Sequence, residues 1–298
     1  MERKKYIICA PLYSGSAGVR ALYMLRSVLE EKGFDAKIFC LSENPQNDLS
    51  VFTNKITNDN RKNDIVVYPE IVFGNPLLFR NVVRYVLNYP GYLGGDKKYH
   101  DGELLFSWSE TYLKDVPLLR FDTIDRSLFY EDKTIKDTNA CFVHKGASYQ
   151  ELSEVADAVK ITMDYPATRS ELADLLRRTK NFYSFDDNTS LCEEAALCGC
   201  RIYVFTSGGF KEVNVNSTFD NEKFSKQIDA FISLTQEMNY AGKINKSGHV
   251  PILKKIFARA VIFLLRLIYC LTGVKAIKNK MKQIKKRFLW QGGERNIV

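Results

Sequence analysis

Two adjacent glutamates in the segment YSFDDNTSLCEEAALCGCRIYVF, residues 183–205, carry the clearest chemical signal in this chain. The segment predicts a strand, an acidic loop, a short helix and a second strand. With Ser190 as the N-cap, the apolar face of the helix contains Leu191 and Ala195, and Glu194 falls on that same face. Because a buried carboxylate without partners is costly, Glu194 requires either a cation or an opening to a ligand.

Structural explanations exist for both glutamates. Glu193 lies three residues after Ser190, which is the spacing of a capping box in which the glutamate bonds back to the N-cap amide. Glu194 can instead form a buried ion pair, for which the nearby sequence offers Arg177, Arg178 and Arg201.

A nucleotide site is the functional alternative. Open parallel sheets bind ligands beyond the carboxyl ends of their strands, and a helix N-terminus there offers free N–H groups and a positive dipole end to phosphate. Thr189 and Ser190 add hydroxyls, and Glu194 can accept bonds from the two hydroxyls of a ribose. Asp186, at the end of the preceding strand, can face a sugar. The segment therefore predicts a cradle for a nucleotide diphosphate.

A glycine-bearing loop lies near the N-terminus, in PLYSGSAGVRAL, and places Gly15, Ser16 and Gly18 between a predicted strand and a predicted helix. The loop lacks the G-x-G-x-x-G spacing of dinucleotide-binding proteins, and the acidic residue expected after the second strand is missing. NAD binding is therefore not expected. A flexible turn is the structural alternative for this loop.

Glu70 is a further candidate, because it follows the apolar strand DIVVY on the ligand side of a parallel sheet. It can act as a general base on an acceptor hydroxyl, or it can brace the turn at residues 74–76. The next stretch, 76–87, predicts a helix with Arg80 and Arg84, four residues apart, on one solvated face, and contact with an anion is the alternative for these arginines.

The elements that must position these groups alternate between strand and helix. Short apolar runs such as Tyr6–Pro11 predict buried parallel strands, and the alternation restarts after an acidic stretch near residue 135. The predicted fold is α/β, with two Rossmann-like parallel-sheet domains facing each other across a cleft and a basic amphipathic helical tail. The predicted domain boundaries are 1–135, 136–248 and 249–298.

The segment FDDNTSLCEEAALCGCRIYVF resembles the donor-site segment of GT-B glycosyltransferases, in which an "EAxxCG" helix follows a loop with Ser or Thr. The preceding RSELADLLRRTKNFYSF is also similar, and NPLLFRNVVRYVLNYPGYLGG resembles a stretch of bacterial surface-polysaccharide glycosyltransferases. The resemblance implies that Glu194 holds the ribose of the donor. Many retaining members have a second Glu where this chain has Asp186.

Further roles follow from the same resemblance. It implies that the loop with Gly15, Ser16 and Gly18 lines the cleft and meets the acceptor or the donor phosphate. It also implies that Lys145, in CFVHKG at the end of a strand, neutralises the leaving diphosphate. Electrostatic stabilisation of that phosphate fits a metal-free reaction, and the three histidines lack metal-ligand spacing. We therefore expect no cofactor and no required metal.

Charge is concentrated at the C-terminus. From Pro251 to the end there are 12 Lys or Arg residues against one acid, whereas the rest of the chain has 31 basic and 34 acidic residues. Two amphipathic helical patterns within 251–290 predict helices in an anionic membrane interface, with packing on the body or on another subunit as the alternative. The seven scattered cysteines indicate reduced thiols in a cytoplasmic chain.

Together these features predict a glycosyltransferase at the inner face of the cell membrane. It moves a sugar from a nucleotide-diphosphate sugar to a lipid-linked glycan acceptor in bacterial surface polysaccharide or lipopolysaccharide synthesis. Because the residues before the tail have a net charge close to zero, a nucleic-acid partner is not expected. Two alternatives remain: a non-catalytic nucleotide- or glycan-binding subunit of the same fold, and a membrane-associated scaffold.

Overall fold

The computed structural model describes most of the chain up to residue 249 and short helical pieces beyond it. The described residues are 3–41, 48, 50–143, 152–162, 164–186, 189–249, 261, 263–265 and 275–284. The chain forms two compact units. The first contains Met1–Phe121 and Asn221–Val298, and the second contains Asp122–Asp220.

The first unit is built on a six-stranded sheet in the order β3-β2-β1-β4-β5-β6, in which every paired strand is parallel. Its strands are β1 Tyr6–Ala10, β2 Ala36–Cys40, β3 Phe52–Thr53, β4 Ile65–Pro69, β5 Asn81–Val86 and β6 Glu103–Ser107. Its helices are α1 Ala17–Glu31, α2 Asn58–Asn63 and α5 Asn221–Glu237. This strand order is the Rossmann order, which places a topological switch point between β1 and β4.

Both faces of the first sheet are covered, which explains why β1, β4 and β5 are buried along their whole length and why β1 and β4 are apolar. On one face, Leu25 of α1 and Phe231 of α5 belong to the main core with Ile8 and Val67. On the other face, the loop after β4 supplies Val72, Leu77 and Phe79 to a separate core.

The prediction of a helix over 76–87 is wrong, because this stretch contains β5. The loop that precedes β5 is fixed by Asn75, whose side-chain oxygen accepts from the Tyr68 hydroxyl at 3.0 Å and from the Phe79 amide at 3.1 Å. Arg84 is consequently not on a solvated helix face. It lies beside Tyr68 in the β4–β5 register and is fully buried, whereas Arg80 precedes the strand and is exposed.

The second unit holds a five-stranded mixed sheet in the order β11-β10-β9-β7-β8. Its strands are β7 Thr138–Phe142, β8 Val159–Ile161, β9 Thr179–Ser184, β10 Arg201–Thr206 and β11 Gly209–Val213. Only β11 is antiparallel to its described neighbour. Its helices are a 3-10 turn at Ser153–Val155, α3 Arg169–Arg178 and α4 Ser190–Leu197. The α/β class and the parallel pairing in both units are therefore confirmed, and the hairpin to β11 makes the second sheet mixed.

Contacts within the chain divide it differently from the predicted boundaries at 135/136 and 248/249. Ile124 and Phe129 pack in the core of the second unit, so this unit already begins at Asp122. Helix α5 belongs to the first unit, because Ile228 and Phe231 fill the core beside β1 and β6. The second unit is thus inserted in the sequence of the first.

Little of the predicted tail falls within the described residues. A helix spans Lys275–Ile284, and residues 261 and 263–265 are helical. Among the described residues, no helix is long and apolar enough to cross a bilayer.

Candidate functional site

The switch points of the two sheets coincide with the loops that hold most of the predicted site residues. In the first sheet, the loop after β1 carries Gly15 and Ser16, and Glu70 directly follows β4. In the second sheet, connections leave in opposite directions from the neighbouring strands β7 and β9, and Asp186 follows β9. Lys145 follows β7 in sequence but lies outside the described residues. Ligands of open α/β sheets bind at such points.

The N-terminus of α4 differs from the prediction by one residue. Thr189 is the N-cap, and its hydroxyl oxygen accepts from the Leu191 amide at 3.2 Å. Ser190 is the first helical residue, so the predicted capping box between Ser190 and Glu193 is wrong. Both hydroxyls nevertheless lie at the start of α4, which is the positive end of the helix dipole and follows the carboxyl end of β9.

Glu194 lies on the buried face of α4, as the apolar pattern predicts, and its side chain is only 1% exposed. Its cation is Arg169, which forms a bidentate pair. Nη2 donates to Oε1 at 2.6 Å and Nη1 donates to Oε2 at 3.0 Å. Two of the arginines that the sequence suggested as partners of Glu194 bind elsewhere, because Arg177 and Arg178 pair with aspartates.

Arg169 holds this carboxylate from the first position of α3. The helix start is fixed by a capping box between Thr168 and Glu171, and the guanidinium carbon lies 4.5 Å from the centre of the Phe129 ring. Since α3 leads directly into β9 and α4 directly leaves it, the starts of both helices lie at the carboxyl edge of the sheet. Of the Arg169 side chain, 36% is exposed.

The arrangement has clear chemical consequences. Both carboxylate oxygens of Glu194 accept from Arg169, in the two-pronged geometry of a strong charge-assisted pair. This pair fixes the orientation of the Glu194 carboxylate. Arg169 has five N–H donors, of which two bind Glu194, and its exposed edge presents positive charge beside the N-terminus of α4.

Asp186 is held by its backbone at the end of β9. The Ser184 hydroxyl donates to the Asp186 carbonyl at 2.6 Å and accepts from the Asp186 amide at 3.1 Å. The residue is 8% exposed. These two bonds turn the chain sharply out of the strand, four residues before the start of α4.

Glu70 is buried, with 3% of its surface exposed, and its Oε2 accepts from the Leu87 amide at 3.0 Å. Leu87 follows β5, so Glu70 ties the end of β4 to the end of β5 and does not brace the turn at 74–76 through this bond. Gly95, at φ +77°, packs against the Glu70 carbonyl so closely that a Cβ there would overlap the oxygen.

The glycine loop adjoins the same point. A Cβ built on Gly18 would lie 3.6 Å from Cβ of Leu87, so the first turn of α1 packs beside the residue that Glu70 binds. Ser16 is the N-cap of α1 and makes no side-chain capping bond, and a Cβ on Gly15 would meet no atom within 4 Å. The loop, Leu87 and Glu70 are therefore brought together at the first switch point.

Sequence reasoning missed the buried charge cluster around Arg84. Arg84 donates to Glu103 Oε2 at 2.9 Å, to the Val72 carbonyl at 2.7 Å and to the Gly74 carbonyl at 2.9 Å. Burial raises the pKa of Glu103 more than the adjacent Arg84 lowers it. Only the distance of Glu103 from Arg84 in sequence concealed this pair. The cluster fixes the loop that carries Glu70.

No family model matches the chain, and no curated protein gives a significant match. Within the described ranges, no group of three or more His, Cys, Asp or Glu side chains is arranged to hold a metal ion.

Proposed function

We propose that this chain is a glycosyltransferase of the GT-B type. It transfers a sugar from a nucleotide-diphosphate sugar to a lipid-linked glycan acceptor in bacterial surface polysaccharide synthesis. The observation that carries the proposal is Glu194, a charged carboxylate buried in α4 and oriented by Arg169 at the carboxyl edge of a Rossmann-like sheet. The carboxyl edge of an open α/β sheet is where such sheets bind their ligands, which makes a carboxylate held at this position a candidate binding group.

The donor is assigned to the second unit. The ribose hydroxyls donate to the carboxylate of Glu194, the role that the resemblance implies, and the diphosphate lies at the N-terminus of α4 beside Thr189 and Ser190. The exposed edge of Arg169 adds positive charge to this position. As the diphosphate leaves, negative charge develops on it, and these donors stabilise that charge without a metal ion. The resemblance adds Lys145 to the same role.

The sugar and acceptor are assigned to the remaining carboxylates. Asp186 faces the donor sugar from the end of β9. Glu70 is proposed as the general base, with the loop of Gly15, Ser16 and Gly18 contacting the acceptor. The membrane position, at the inner face of the cell membrane, follows from the basic tail of residues 251–290.

A panel of nucleotides and nucleotide sugars in a thermal-shift assay tests the proposal. A ligand at 100 times its dissociation constant stabilises the folded state by about 2.7 kcal/mol, which raises Tm by several degrees. Glu194→Gln keeps the shape of the side chain and one bond to Arg169 but removes the charge. It should weaken nucleotide binding about tenfold or more, because bonds to a charged acceptor are worth about 1.5–3 kcal/mol.

Glu193→Gln is the matched control, since it changes the neighbouring carboxylate, which is only half-buried. This variant should bind nucleotide like the parent protein. The proposal fails if no UDP-, GDP- or other nucleotide-sugar ligand shifts Tm, or if Glu194→Gln and Glu193→Gln bind equally well.

A second candidate is a nucleotide-binding subunit without transfer activity. The burial of Glu70 and its bond to the Leu87 amide favour it, because a base must reach the acceptor hydroxyl. The two candidates differ in turnover. Release of free nucleotide diphosphate in the presence of membrane extract as acceptor supports transfer, whereas binding without release supports the subunit.

A further inference from the structure

Four exposed basic side chains and an exposed aromatic ring lie on the loop between β4 and β5 and on the two segments that hydrogen-bond to that loop. We name this set the basic face. Its members are Lys62, Phe73, Arg80, Lys243 and Lys246. Phe73 is 56% exposed, which is unusual for a ring of this size in a protein that buries most of its phenylalanines. An exposed apolar ring among cations is a feature that requires an explanation.

Hydrogen bonds of the backbone hold the members of the basic face together. The Arg80 amide donates to the Arg61 carbonyl at 2.8 Å, which joins the end of α2, with Lys62, to the loop before β5. The Arg61 side chain also donates to the Leu77 carbonyl at 2.9 Å. Three cations therefore belong to segments bonded to one loop, together with two acids: Asp59, which accepts from Asn63, and Asp96, which accepts from the Gly74 amide at 2.6 Å.

The segment before the tail crosses the same loop. The Asn75 amide donates to the Ser247 carbonyl at 2.9 Å, and His249 Nδ1 bonds the Pro76 carbonyl at 3.0 Å. Gly248, at φ +74°, packs so closely on Phe73 that a Cβ would overlap its carbonyl oxygen. This segment carries Lys243 and Lys246 to the basic face.

The position of His249 matters because the basic tail begins two residues after it. From Pro251 onward the chain carries 12 Lys or Arg residues against one acid. Phe263 and Leu264 within that part are 62% and 58% exposed. His249, two residues before the tail, is thus bonded to the loop of the basic face. The tail and the basic face both carry positive charge, and both combine cations with exposed apolar side chains.

We propose that the basic face is a second membrane-binding element, which docks the first unit on an anionic bilayer together with the tail. Lysine and arginine near an anionic surface are attracted electrostatically, and a ring among them can enter the interface. Nucleic acid is the other polyanion to consider, and a base could stack on Phe73, but such binding gives no role to the exposed apolar side chains Phe263 and Leu264 of the tail. The inference rests on the membrane location proposed above and extends it to a surface of the folded body.

The experiment compares full-length variants in flotation with vesicles of phosphatidylcholine alone or mixed with phosphatidylglycerol. Changing Lys62, Arg80, Lys243 and Lys246 to glutamine should weaken binding to the anionic vesicles by about fivefold for each charge. The matched control changes four exposed cations of the second unit to glutamine: Lys160, Lys180, Arg201 and Lys211. This control should bind the anionic vesicles like the parent protein.

A fluorescence measurement tests insertion directly. The chain has two tryptophans, Trp108 and Trp290, which are replaced by phenylalanine, and Phe73→Trp then supplies the reporter. Its emission should shift to the blue on anionic vesicles and be quenched by nitroxide-labelled lipid. Because Phe73 is exposed, the change should leave Tm unaltered.

Several results would overturn the inference. If the four-cation variant floats like the parent, or if the control loses as much binding, the basic face has no specific role. An unquenched tryptophan at position 73 excludes insertion of the loop. Binding to duplex DNA that exceeds binding to anionic vesicles, and that the four-cation variant loses, identifies nucleic acid as the partner instead. If the parent does not float at all, the membrane location itself is wrong, whatever the nucleotide assays give.

Discussion

Replacing Arg84 by methionine should destabilise the first unit more than any change at its surface. Arg84 is fully buried, and Glu103 beside it has 3% of its side chain exposed. Methionine keeps most of the stem volume, so the cavity is small, but Glu103 loses its cation and two loop carbonyls lose their donor. Removing one partner of a buried ion pair costs about 3–5 kcal/mol. For a unit of this size, that lowers Tm by about 6–20 °C.

Urea unfolding followed by Trp108 fluorescence measures this change, because Trp108 packs on the main core of the first unit. Trp290→Phe removes the other tryptophan. Arg80→Met is the matched control: Arg80 is four residues away and exposed, so its replacement should alter the free energy of unfolding by less than about 0.5 kcal/mol.

Two further comparisons probe the cause. The double variant Arg84→Met/Glu103→Leu removes both charges and should recover much of the loss. In Arg84→Met alone, burial raises the pKa of Glu103 without the opposing charge of Arg84, so the native state binds a proton more tightly than the unfolded state. Its deficit should therefore shrink as the pH falls towards 4.5, the ordinary value. Equal effects of Arg84→Met and Arg80→Met, or a double variant less stable than the single one, would refute the reasoning.

Two other predictions concern backbone and thiols. Gly95→Ala should cost more than about 1 kcal/mol of unfolding free energy, because φ is +77° and a Cβ would overlap the Glu70 carbonyl, whereas Gly15→Ala should cost little. Burial raises the pKa of Cys198 to about 11 and of Cys200 to about 12, so peptide mass spectrometry should find both unalkylated by iodoacetamide at pH 8 until urea is added. Both keep their protons when folded, so stability should fall as the pH rises from 9 towards 11; alkylation at an exposed-thiol rate would contradict this.

The strand–helix alternation was predictable because buried parallel strands are short apolar runs, and β1 and β4 are of that kind. Strand β5 was missed because Arg80 and Arg84 have helical spacing. What decides its conformation is not local: Arg84 needs Glu103, which lies 19 residues later, and backbone carbonyls of the loop after β4. Without those partners, a buried arginine in a strand has no support.

The candidate site was partly predictable for a similar reason. The periodicity of α4 identified Glu194 as a carboxylate on a buried face. Its cation could not be found, because Arg169 lies 25 residues upstream on another helix and sequence spacing does not show which helix starts meet. The predicted N-cap, Ser190, is one residue too late in the sequence, because Thr189 and Ser190 are both good capping residues.

The return of α5 to the first unit has a consequence for the order in which the protein folds during translation. Phe231 and Ile228 complete a core whose β1 and β6 have left the ribosome more than 100 residues earlier. The second unit is one continuous stretch, Asp122–Asp220, so all of its contacts become available while α5 is still being synthesised. Domains usually fold from the N-terminus onward. Here the inserted unit can complete first, and the unit that contains the N-terminus finishes last.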